Sequence, residues 1–177
     1  MSEERVRQMI DVMKEVARVA SVMLDGEEAT QIPSARAREY VTNRAPRFRH
    51  LSGDYWDVDH DVFLRTKKTM LRLQRLVDFD CSTALWIRTA GAENSLTLTV
   101  RNGTVHRYSA FGTSRIEIDD ALAACLESGE VTVPGPDEEK HTVTVLAPVF
   151  DSLGDVAGVL ELNALAPVPG ATAPTWE

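Results

Sequence analysis

Four histidines, two cysteines and a run of spaced aspartates are the residues in this sequence that most readily suggest chemistry. Asp57, Asp59 and Asp61 alternate as at the start of a calcium loop. The sixth loop position would be Val62 rather than glycine, and the twelfth Lys68 rather than glutamate, so the calcium reading fails. Asp59 or Asp61 instead suits the N-cap of the helix that follows. His50, His60, His106 and His141 include no i, i+4 pair, and Cys81 and Cys125 form no Cys-x-x-Cys, so no metal site is expected. Both cysteines sit in apolar surroundings and read as small buried hydrophobes. Glu117, Asp119 and Asp120 stand where a helix begins, a place that favours acids without any acid–base role. No nucleophile elbow, phosphate loop or dinucleotide-binding glycine motif occurs. Catalytic residues are therefore expected to be none, and the protein is not expected to be an enzyme.

The aromatic and basic residues point towards binding. Tyr55 and Trp56 lie side by side in a polar loop, near Arg36, Arg38, Arg44, Arg47 and Arg49. Such a loop can close over a ligand, and arginines there can meet an anionic group. Trp86, Tyr108 and Phe111 stand on expected strands, as core or as pocket lining. The candidate ligand-binding set is Tyr55, Trp56, Trp86, Tyr108, Phe111, Arg47 and Arg49. Charge supports the location. Residues 34–75 carry a net +5, residues 1–33 a net -3 and residues 76–177 a net -10, within a total of -8. The overall acidity argues against nucleic-acid binding, and the basic middle is where an acidic partner or a small anionic ligand is expected.

These residues need elements to hold them. Val6, Met9, Met13, Val16, Ala20 and Met23 recur at alternating steps of three and four, so residues 4–24 predict an amphipathic helix. Its stripe is expected either to lie on the chain's own domain or to form a dimer seam, ended at Asp25-Gly26. Ser34 predicts the cap of a short helix through residue 40 or 41. Residues 60–77 predict a second helix with Phe63, Met70, Leu73 and Val77 on one face, helped by Val62, Leu71 and Leu76. From Cys81 onward the period becomes two. Strands are predicted over 83–89, 95–101 and 104–110, the last two joined by an Asn102-Gly103 type I′ turn. A helix over 117–128 ends at Gly129, and a short strand spans 131–133. Strands over 142–150 and 156–162 form a hairpin around Gly154. The expected fold is α+β, with a central antiparallel sheet of about five to six strands flanked by helices and an N-terminal helical extension.

The chain has 177 residues, 44 % of them apolar and 26 % charged, which excludes a disordered or fibrous chain. No apolar run is long enough for a membrane span. The Met-Ser-Glu-Glu start carries no secretory signal pattern, so the expected location is cytoplasmic.

Two segments carry a resemblance. Residues 121–131 (Ala-Leu-Ala-Ala-Cys-Leu-Glu-Ser-Gly-Glu-Val) look like the helix and Gly-Glu step of GAF domains. Residues 143–162 are similar to the closing hairpin of GAF, PAS and Cache sensors, with Pro148, Gly154, Gly158 and Leu160 at the matching positions. Gly158 is expected to leave room for a helix or ligand. The resemblance covers about residues 60–165 and implies a non-enzymatic sensory module, GAF preferred. Such a module binds a small molecule between sheet and helices and signals through a homodimer to an output partner. Neither cysteine matches a chromophore site, and the resemblance names no cofactor. The expected divisions are 1–59 as helical extension, 60–165 as sensor domain and 166–177 as tail. A filled, ligand-free interaction module of the same fold is the competing reading.

Overall fold

The computed structural model describes residues 3–35, 37–38, 59–89, 91–108, 115–137 and 141–166. Its elements run α1 (Glu3–Met23), α2 (Gly26–Gln31), α3 (His60–Gln74), β1 (Cys81–Arg88), β2 (Ser95–Asn102), β3 (Arg115–Glu117), α4 (Asp120–Ser128), β4 (Thr142–Phe150) and β5 (Val156–Leu165). The strands form one antiparallel sheet in the order β3-β2-β1-β5-β4. The fold is α+β.

Alternation along the strands sorts side chains to two faces. The first face carries Leu85, Ile87, Val100, Val143, Val145, Ala147, Val149, Leu160, Leu162 and Ala164. Helices α1, α2 and α3 pack on it, and α1 lies mainly against β4. The stripe predicted on residues 4–24 is therefore used inside the chain. Met9, Met13, Val16 and Ala20 are buried in this core and Val6 packs against it, while Met23 is 56 % exposed. Residues expected at a dimer seam thus bury apolar area on their own sheet.

Asp25 does more than stop α1. Its carboxylate accepts from the Glu27 and Glu28 amides at 2.8 and 3.1 Å and so caps α2, a helix the periodicity does not announce. Ser34 Oγ accepts from the Ala37 amide at 3.0 Å, as its expected cap role requires. Asp59 caps α3 through the Asp61 and Val62 amides. α3 ends at Gln74, and Leu71 and Leu76 are 40 % and 58 % exposed rather than part of the buried face.

The second face carries Ala84, Trp86, Leu96, Leu98, Leu146 and Val159 and is covered by Leu122, Cys125 and Leu126 of α4. Asp119 caps α4, and Gly129 closes it at φ 65°, in the left-handed region that glycine adopts freely. Three sequence expectations change here. Asn102-Gly103 does not return the chain as a hairpin, and residues 104–108 form no strand. The strand beside β2 is Arg115–Glu117, which takes Glu117 from the start of the helix expected over 117–128. Residues 131–133 reduce to a single bridge between Thr132 and Leu146 on the outer edge of β4. Gly158 is tight for another reason than the one expected. A Cβ there would strike the Trp86 carbonyl oxygen of β1, so the close neighbour is a paired strand and neither a helix nor a ligand.

Candidate functional site

The second face holds a carboxylate with no solvent exposure. Glu161 lies on β5 between Leu160 and Leu162, which point to the opposite face. Strand alternation alone therefore sends its side chain under the α4 side of the sheet. Four N–H groups converge on it. The Trp86 indole donates to Oε2 at 2.7 Å. Asn163 Nδ2 donates to Oε1 at 2.6 Å, and the backbone amides of Arg107 and Tyr108 donate to the same oxygen at 2.7 and 3.3 Å. Thr144 Oγ1 donates to Asn163 Oδ1 at 2.7 Å and thereby orients the amide so that its NH2 faces Glu161.

The electrostatics are a balance of opposed effects. Burial raises the Glu161 carboxyl above the ordinary range, and the bonds from Trp86, Asn163, Arg107 and Tyr108 pull it back down. The net direction is upward. A buried carboxylate is tolerated only when its lone pairs are filled, and these N–H groups fill them.

The two backbone donors belong to residues 103–108, which cross this face as a strap. Their amides go to side chains where a strand would use a backbone ladder. Val105 N donates to Ser82 Oγ at 3.0 Å, and Arg107 and Tyr108 N donate to Glu161. This is the physical reason residues 104–108 of the expected strand 104–110 pair with no ladder: the Val105, Arg107 and Tyr108 donors are already taken, and residues 109–110 lie outside the described residues. Gly103, at φ 82°, lets the strap leave β2 close over Ser82, where any Cβ would collide with Ser82 Oγ. The Arg107 guanidinium bonds the Gly135 carbonyl oxygen at 2.7 Å, tying the strap to the segment after α4.

His106, on the strap itself, is also buried, at 7 % exposure. Nε2 lies 3.3 Å from the Gly103 carbonyl oxygen, which accepts and so places the proton on Nε2. Nδ1 is buried without a hydrogen-bond partner among the described residues. Burial is the main cause that lowers its pKa, and the Arg101 charge adds to it; the Gly103 bond opposes both. Protonation would create a buried N–H with no acceptor among the described residues.

Of the aromatic candidates, Trp86 is fully buried in this cluster and Tyr108 is half-buried, contributing its amide and a hydroxyl 3.5 Å from Asp119. Tyr55, Trp56, Phe111, Arg47 and Arg49 lie outside the described residues. Cys81 and Cys125 are free thiols, and burial pushes each up to about 12, which leaves both as thiols without nucleophilic character at neutral pH. Among the described residues, no group of three His, Cys, Asp or Glu side chains is placed to hold a metal ion. None of their helices is long and apolar enough to cross a membrane.

Sequence reasoning missed Glu161, Asn163, Thr144 and Ser82. The signal was present in Val-Leu-Glu-Leu-Asn, a carboxylate within a strand otherwise apolar enough to be buried on both faces.

No protein-family model matches the chain, and no curated protein matches it. Among solved structures it is similar to a GAF sensor protein from Burkholderia vietnamiensis, at 12 % identity and a TM-score of 0.47, over 78 % of this chain and 81 % of that one. It is similar to another GAF domain structure at 15 % identity and a TM-score of 0.45, over 63 % of this chain and 65 % of that one, just under two thirds of its length. A third is the second GAF domain of DevS from Mycobacterium smegmatis, at 16 % identity and a TM-score of 0.41, over 62 % and 76 %.

Proposed function

We propose that the protein is a non-enzymatic sensory module of GAF-like design, with its ligand site on the second face of the sheet beneath the 103–108 strap. The carrying observation is the Glu161 cluster: a fully buried carboxylate whose bonds to the strap are two backbone amides. A core built only for stability has no use for a charge there, because apolar packing of the same volume is as stable or more so. A strap held by side chains can be released and remade, whereas a strand held by a ladder cannot move without tearing the sheet. A ligand that takes the strap's place must bring N–H or O–H donors to Glu161, or it leaves a buried charge unpaired.

Signalling through a homodimer belongs to the same proposal, in altered form. The inner stripe of α1 is occupied by the core, so a second copy would meet Val12, Val19, Val22 and Met23, which are 42 %, 44 %, 85 % and 56 % exposed. The output partner is then a separate chain or domain reached through α1, and the location stays cytoplasmic in this reading.

Native mass spectrometry of the full chain purified from cells tests the ligand. A small-molecule adduct on the wild type, lost in Glu161→Gln, supports the reading. A bare wild-type chain whose strap amides exchange at the same rate with and without a metabolite extract opposes it, and favours the filled interaction module instead.

A further inference from the structure

A groove of about 350 Å³ lies beside the N-terminal half of α1, where the helix passes the residues joining α3 to β1 and the end of β5. It sits at the margin of the first face, and its described lining residues are separate from the Glu161 cluster.

The groove carries charges of both signs. Arg5 stands on the α1 wall, and Asp78 and Asp80 stand on the wall formed between α3 and β1. All three are exposed. Arg5 pairs with neither aspartate, and none of the three side chains has a hydrogen-bond or ion-pair partner among the described residues. Opposite charges that share a groove of this size without meeting leave room for a molecule between them. A simple anion there is attracted by Arg5 and repelled by two carboxylates, and a simple cation meets the reverse. Only a molecule with a charge of each sign gains from both walls. The lining also includes apolar side chains. Met9 is 8 % exposed, Phe79 is half-buried against the core, and Leu165, the last residue of β5, is 53 % exposed. A methylene chain laid over them removes apolar surface from water.

We propose that this groove binds a linear zwitterion of the ω-amino acid class, its carboxylate at Arg5, its ammonium at Asp78 and Asp80, and its methylene chain over Phe79 and Leu165. Size suits such a chain. A cavity near 150 Å³ accepts benzene, so about 14 non-hydrogen atoms fill this volume, and 6-aminohexanoate, with about nine, fits along with some water. The Glu161 cluster needs a donor alone, whereas this groove needs both a donor and an acceptor, so the proposal stands apart from the sensory reading of the second face.

The experiment uses the full chain, with 6-aminohexanoate as probe and hexylamine and hexanoate as its single-charge counterparts, at one matched ionic strength. Binding is read from the NMR signals of the Met9 and Leu165 methyls. The zwitterion is expected to shift them saturably, with hexylamine about 3-fold weaker and hexanoate about 5-fold weaker, because exposed charge pairs each contribute modestly. Arg5→Gln is expected to weaken 6-aminohexanoate about 3-fold and to leave hexylamine no weaker, since it removes an attraction from the first and a repulsion from the second. Asp78→Asn combined with Asp80→Asn is expected to weaken 6-aminohexanoate and hexylamine about 5-fold and to leave hexanoate no weaker. All three side chains are exposed, so these variants keep the fold. Hexylamine binding the wild type as tightly as the zwitterion overturns the proposal, as does an absence of saturable shifts at these methyls up to about 50 mM, well above ordinary weak-site affinities.

Discussion

The two faces of this sheet solve the same burial problem in opposite ways. The first face is apolar almost throughout and is covered by three helices, so its stability comes from area and close packing. The second face is covered by one short helix and a strap without regular structure, and it holds a buried carboxylate, an amide, a hydroxyl and an indole in one network, with the Ser82 hydroxyl holding the strap beside it. Apolar packing tolerates repacking, because no single contact is indispensable. A polar network does not, because each lost donor leaves a buried acceptor bare. The second face is therefore the place where a small change can alter the state of the domain without dissolving it.

Substitutions can break that contrast. The largest effect is expected at Glu161. Glu161→Ala strands the Trp86, Arg107 and Tyr108 N–H groups together and should destabilise by about 3–5 kcal/mol, seen as a lowered denaturant midpoint. Leu162→Ala, one residue along on the first face, should cost a similar 2–5 kcal/mol or so through its cavity. Hydrogen exchange separates the two. Strap amides 105–108 should lose protection in Glu161→Ala at conditions where β4 and β5 remain protected, and should keep it in Leu162→Ala. Equal strap loss in both variants would end the distinction between the faces.

Gly158→Ala drives a Cβ into the β1 carbonyl and should cost about 1–3 kcal/mol by overpacking, with both faces affected because the β1–β5 pairing itself is disturbed. Trp86→Phe keeps one aromatic ring but loses the pyrrole part of the indole and with it one donor to Glu161, for about 1–3 kcal/mol from the lost bond in addition to the space it leaves. Its signature is a further rise of the Glu161 pKa, measurable by carboxyl NMR, since one of the bonds holding it down is gone.

The pH dependence sharpens the comparison with the smallest effect. His106 has a folded pKa below its ordinary 6.5, so the folded state binds fewer protons there than the unfolded chain. Its share of stability is present above pH 6.5 and is lost as pH falls through its folded value. Glu161 has a folded pKa above 4.5, so its contribution is largest below pH 4.5 and is lost as pH rises through its folded value. His106→Gln should flatten the acid-side loss below pH 6.5, and Glu161→Gln should remove the opposite slope. Both groups sit on the second face or its strap, so denaturation midpoints followed against pH should respond to variants there far more than to apolar variants on the first face.

Legibility in the sequence follows the same division. The first face could be read because its information is periodic: Met9, Met13, Val16 and Ala20 on α1, and the alternation along β4 and β5, each mark a buried side by spacing alone. Caps at Asp59 and Gly129 could be read because the partners of a cap lie within a few residues, whereas the Asp119 cap falls inside the helix expected from residue 117. The failure over 104–108 has the opposite cause. That stretch has local strand propensity, but its amide partners are Ser82 and Glu161, 23 to 54 residues away in the chain. Gly103 looked like half of a hairpin turn, and the same left-handed geometry in fact carries the chain over Ser82.

The sequence by itself determined the α+β class, the helix on residues 4–24, the β4–β5 hairpin and the apolar face they share, because each depends on periodicity and on bonds between near neighbours. Only the tertiary structure decided that the α1 stripe lies on its own sheet and that Glu161 faces the strap. Those outcomes depend on which strands pair and on which residues distant in the chain are brought within hydrogen-bond range, and spacing along a sequence carries no record of either.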